Sequence, residues 1–125
     1  MPATSLSSLS RRVALTGLIA LAPEAAMAHA ILQQSQPPAG GSVPAGIVDM
    51  QFTYNSRIDR ERSRLTLTRP DHSQAVLPIG PSGPPNVINA TAELTIPGPY
   101  NVRWQVLAVD GHITRGDVPF TVTGP

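Results

Sequence analysis

The sequence predicts an all-β protein, a seven-stranded antiparallel Greek-key β-sandwich of the immunoglobulin-like or cupredoxin-like kind. Three observations predict it. Apolar and polar residues alternate with period two along several short runs. Prolines punctuate the chain: twelve of its fourteen lie between 29 and 125, too closely spaced for long helices. Turn residues separate about seven such runs in under a hundred residues, the spacing of a two-sheet sandwich.

The elements follow in order. ILQQS at 31–35 is a first short strand. In IVDMQFTY, Val48, Met50, Phe52 and Tyr54 share one face of an extended segment. In SRLTLTR, Leu65 and Leu67 face one way, Thr66 and Thr68 the other. AVLPI at 75–79 is another short candidate. In VINATAELTI, Ile88, Ala90, Ala92, Leu94 and Ile96 alternate with polar residues. YNVRWQVLA places Tyr100, Val102, Trp104, Val106 and Ala108 on one face, and DVPFTV places Val118, Phe120 and Val122 likewise. The loop 80–85 (GPSGPP) is read as a surface excursion.

The start of the chain reads differently. Arg11 and Arg12 are followed by the ten-residue apolar run 13–22 and then by AAMAHA at 25–30. That order is the order of a secretory signal peptide. The run is too short to span a membrane, which takes about 20 residues. SRRVAL is also similar to a twin-arginine signal, so both export routes stay open. The expected division is a signal peptide at 1–28 and a single β domain at 29–125, located in the periplasm. Cleavage after Ala30 also satisfies the small-x-small rule and would remove His29.

Charge and composition exclude several classes. Beyond residue 28, seven arginines balance seven acidic residues, which leaves no basic field for nucleic acid or an anionic membrane. The stretch 57–64 (RIDRERSR) mixes signs and reads as solvated surface. There are no cysteines, so thiolate metal sites are excluded. No G-x-S-x-G elbow and no phosphate-binding glycine loop occurs.

Three histidines remain. His29 would begin the chain after a cut at Ala28. Its free amine and ring Nδ1 would then close one chelate ring, a donor set that suits Cu(II). In VDGH, Asp110 and His112 are two apart. If that backbone is extended, their Cβ atoms stand roughly 6–7 Å apart on one side, where one metal could take an oxygen and a nitrogen. Asp-Gly is equally a common hairpin turn signal. His72, in RPDHSQ, lies in turn chemistry and is assigned no role.

These residues carry a resemblance. The chain from His29 onward resembles the CopC family of periplasmic copper-resistance and copper-trafficking proteins. The likeness runs through LQQSQPPAGGSVP, IVDMQFTYN and PGPYNVRWQVLAVDGHITRGDVPFTV, and the last segment is the most specific. The resemblance implies a seven-stranded sandwich with one Cu(II) held at one end by the His29 amine and imidazole, the His112 imidazole and the Asp110 carboxylate. It implies a carrier or buffer without turnover, handing copper to an inner-membrane importer similar to CopD. Some members carry a Glu beside the copper in a stretch like FSEN. Here FTYN puts Tyr54 there, either touching the site through its hydroxyl or walling it. Some members have a Met-rich Cu(I) site. Past residue 28 this chain has only Met50, on the expected core face.

Two other functions fit parts of the pattern. Lytic polysaccharide monooxygenases also bind copper through an amino-terminal His, but they present aromatics to a polymer, and all five aromatics here share expected core faces. An immunoglobulin-like interaction module without metal would bind copper no better than any chain beginning with His.

Overall fold

The computed structural model describes residues 29–124. The expected signal segment 1–28 lies outside the described residues. The fold is all-β, with eight strands in two packed sheets: β1 (Leu32–Gln36), β2 (Ser42–Pro44), β3 (Gly46–Tyr54), β4 (Ile58–Thr68), β5 (Gln74–Leu77), β6 (Val87–Leu94), β7 (Gly98–Ala108) and β8 (Ile113–Thr123). One sheet has the order β1-β3-β6, the other β2-β8-β7-β4-β5. The sandwich expected from the period-two runs is therefore the one formed, with one strand more. That extra strand, β2, has three residues and pairs parallel to β8, while the other pairings are antiparallel.

Alternation does the work of sorting faces. Met50, Phe52 and Tyr54 from β3, Leu65 and Leu67 from β4, the even residues of β6, and the expected faces of β7 and β8 all enter one core. Each large apolar side chain so buried stabilises the fold by roughly 1.5–3 kcal/mol. At one end Tyr100 stacks on Phe120 at 5.7 Å. Its hydroxyl donates to the Ile96 carbonyl at 2.7 Å, so the ring is buried with its polar tip satisfied. Ile96 itself departs from the expected pattern. β6 ends at Leu94, before Pro97, and Ile96 turns out to solvent.

The stretch 57–64 also departs from expectation. Most of it is strand, although it has no apolar alternation. Ile58 pairs with Ala108 and Arg64 with Gln105, with an irregularity between Asp59 and Arg64. Such a bulge leaves ladder groups without backbone partners. Ser63 repairs this: its hydroxyl donates to the Asp59 carbonyl at 2.6 Å and accepts from the Leu107 amide at 3.1 Å. Arg60 is not simply solvated either. Its guanidinium donates to the carbonyls of Gly83, Pro84 and Val87 and so pins the proline-rich loop to the sandwich.

The strand charges are divided between the sheets. Every strand arginine lies on β4, β7 or β8, whereas the three-stranded sheet carries only Asp49 and Glu93.

Candidate metal centre

The site is built on the β7–β8 hairpin. Beyond Ala108 the chain turns through residues 109–112. The Gly111 amide donates to the Ala108 carbonyl at 2.9 Å, and the Ala108 amide donates to the His112 carbonyl at 2.9 Å. Gly111 has φ +92°, a left-handed conformation that L side chains rarely adopt. This is a β-turn closed by a glycine in the left-handed region, a common short hairpin connection. The backbone at Asp110–His112 is therefore a turn and not extended.

The turn nevertheless brings the two side chains together. Asp110 Oδ1 accepts the His112 amide at 3.0 Å, closing an Asx turn. Asp110 Oδ2 lies 3.0 Å from His112 Nδ1. The carboxylate thus grips its neighbour by backbone and ring at once, leaving Nε2 as the ring nitrogen not engaged by Asp110. The backbone amide of His112 is the chief reason the Asp110 carboxyl is held below the usual carboxylate range.

His29 arrives from the other side. Its ring meets that of His112 edge to face, with centroids 4.7 Å apart and planes at 71°. Two clips deliver it there. Asn55, just past β3, accepts the Ile31 amide on Oδ1 at 2.7 Å and donates its own amide to the Ile31 carbonyl at 3.1 Å. Thr114, near the start of β8, donates its hydroxyl to the Ala30 carbonyl at 2.8 Å. Ala30 is buried in the core between them. The sequence gives little sign of either clip, because Asn55 and Thr114 act on residues 24 and 84 positions away.

The expected residues thus lie at one end of the sandwich, with His112 in contact with both Asp110 and His29. They do not form a closed ligand set. Among the described residues no three His, Cys, Asp or Glu side chains stand together as a ready metal cage. In the continuous chain the His29 nitrogen is a peptide amide, and the Asp110 oxygens are turned to His112.

Tyr54 lies inside the wall. It is fully buried, edge-on to Trp104 at 5.3 Å, and its hydroxyl makes no hydrogen bond among the described residues. Burial holds that phenol above its ordinary range. Met50 is buried in the core. His72 sits beyond Thr68 at the opposite end, with φ +69° in an exposed turn.

A two-sheet β-sandwich whose one end brings His29 against the Asp110–His112 pair is the class that fold and site define. The CopC domain family matches residues 32–123, and the chain belongs to that family. The match takes in Tyr54, Asp110 and His112 and begins just after His29. Protein YobA of Escherichia coli strain K12 is 30% identical over 98 residues, covering 76% of this chain and 79% of its own. Copper resistance protein C of Escherichia coli is 26% identical over 125 residues, covering 94% and 99%. Among solved structures, CopC from Methylosinus trichosporium OB3b superposes with TM-score 0.71 at 22% identity, over 77% of this chain and 95% of that one. PcoC, a methionine-rich copper resistance protein from Escherichia coli, superposes with TM-score 0.63 at 27% identity, over 77% and 100%.

Proposed function

We propose that this protein is a periplasmic Cu(II) carrier or buffer, exported by a signal peptide cut after Ala28, that binds one copper ion per chain as cargo. The His29 amine and imidazole, the His112 imidazole and the Asp110 carboxylate bind the ion. Membership of the CopC family and a relative named for copper resistance support a copper-related role. The observation that carries the site is the His29–His112 contact with Asp110 on the second ring.

Donor chemistry favours the divalent ion. Nitrogen and oxygen ligands suit Cu(II), whereas Cu(I) is selected by thiolate and thioether. The chain has no cysteine, and Met50 is 2% exposed in the core. Asp110 steers the His112 ring and offers carboxylate oxygens of its own, the outer-sphere and inner-sphere uses of one side chain. Half-exposed His112 leaves the ion within reach of an acceptor, for which an inner-membrane importer similar to CopD is the partner we propose.

Native mass spectrometry of the protein recovered from the periplasm, before and after one equivalent of Cu(II), tests this reading. A chain beginning at His29 that keeps one copper against a competing chelator is the expected result, with Asp110→Ala and His112→Ala losing it. A chain beginning at Ile31, or one that yields its copper as readily as a short peptide starting with His, overturns it.

A further inference from the structure

Residues 29–31 precede the first ladder pair, Leu32 with Tyr54, so no sheet register holds them. Chain ends of this kind fray unless tied down. Here the tie is made once on each sheet. Asn55 extends β3 by one false ladder position, its side-chain oxygen and backbone amide taking both polar groups of Ile31. Thr114 sits at an inward position of β8, opposite Val106, and takes the Ala30 carbonyl. Ala30, 1% exposed, fills the space between the two. The arm therefore crosses the open end of the sandwich, and His29 leaves it pointing at His112, whose own ring is fixed by the turn on β7–β8.

We propose that Asn55 and Thr114 are positioning residues for copper: they hold the arm so that His29 and His112 converge on one ion. The inference rests on the copper reading above and adds residues that touch no metal. Its physical basis is pre-organisation. A terminal His binds Cu(II) by itself through amine and ring. Convergence with His112 makes the second imidazole an intramolecular ligand, at an effective concentration set by how firmly the arm is held. Loosening the arm lowers that concentration without altering any ligand. Outer-sphere losses of this kind typically cost 10–100-fold in metal affinity.

The test uses the chain beginning at His29, with Cu(II) affinity measured by chelator competition and the copper environment read by electron paramagnetic resonance. Thr114→Val keeps the shape and removes the donor. Asn55→Ala removes the acceptor. Thr114→Ser keeps the hydroxyl. Each variant is measured well below its own melting temperature. Thr114→Val and Asn55→Ala are expected to bind about 10–100-fold more weakly, with spectra moving toward that of the peptide His-Ala-Ile, while Thr114→Ser keeps wild-type affinity and spectrum. A variant that melts earlier yet binds copper with unchanged affinity and spectrum overturns the proposal, because that is the mark of a structural role alone. Should Asn55→Ala not fold, the Thr114 pair decides. Failure of the wild type to hold one copper would instead sink the site itself, a distinguishable outcome.

Discussion

Replacing Gly116 by alanine tests the packing beneath the site. Gly116 pairs across the ladder with Trp104, and the indole lies over the place where its side chain would be. A Cβ there would stand 2.3 Å from Trp104 Cζ2, 2.6 Å from Cε2 and 2.9 Å from Nε1. Carbon atoms in contact need about 3.5 Å, so the ring must retreat by about 1 Å. Tyr54 stands edge-on against it with ring centroids 5.3 Å apart, and Trp104 is 7% exposed. Overpacking of this kind costs about 1–3 kcal/mol. For a domain of this size that lowers the melting temperature by roughly 4–8 °C per kcal/mol, or roughly 4–24 °C in all. Thermal unfolding followed by circular dichroism measures it. The smaller ring of Trp104→Phe should recover part of the loss, giving a coupling of about 1 kcal/mol or more in a double-mutant cycle. Unchanged melting of Gly116→Ala, or strict additivity with Trp104→Phe, would refute the steric account.

Other outcomes follow from the same geometry. Tyr54→Phe removes a buried hydroxyl that has no partner and should leave the protein as stable or about 1 kcal/mol more stable, by urea titration. Burial disfavours the ionised form of the Tyr54 phenol, so stability is at its full value below about pH 10 and falls as alkali ionises this group in the unfolded chain; ultraviolet titration should show its phenolate appearing only with unfolding. The lowered pKa of Asp110 works in the opposite sense: its contribution is present above the ordinary carboxylate pKa and is lost as pH falls through the depressed value, which a carboxyl NMR titration of wild type against His112→Pro, lacking the amide, should display as an upward return toward normal. On the proposed site, copper should quench the single tryptophan to saturation at one equivalent, since Gly116 under the indole lies four residues from His112, about 13 Å along the strand; His112→Ala should abolish that endpoint. With the proposed ligands, acidification is expected to release copper, because amine and imidazole bind a metal only when deprotonated, and a dialysis series in pH should show retention falling.

Much of this was legible in the sequence, for reasons that differ by element. β3, β6, β7 and β8 announce themselves because one face is buried and the other wet, and period two records that directly. β2 has three residues and no room for a period. The first half of β4 has the composition of surface, and its pairing is imposed by β7 and repaired by Ser63, a contact across 44 positions. At the site, Asp110-Gly111-His112 was legible both as a turn and as a candidate donor pair; the structure forms the turn, and the Asx turn is what swings the carboxylate onto the ring. The length of that turn is local information. The clip of Thr114 on Ala30 is not, since it exists only once both sheets have closed.

The division of charge between the sheets has an effect that net charge conceals. Residues 29–125 sum to zero, yet on the five-stranded sheet five arginines (60, 62, 64, 103 and 115) outnumber Asp59, Glu61 and Asp117 by two, while Asp49 and Glu93 give the other sheet two negative charges. Such a body has a dipole moment across the thickness of the sandwich. It feels no pull in a uniform field but does feel a torque, and within a Debye length of about 8 Å at physiological salt it rotates before it collides. An encounter with any charged surface is thereby turned about an axis lying in the plane of the sheets, while the His29–His112 end stays at the rim, neither driven into the contact nor hidden behind it.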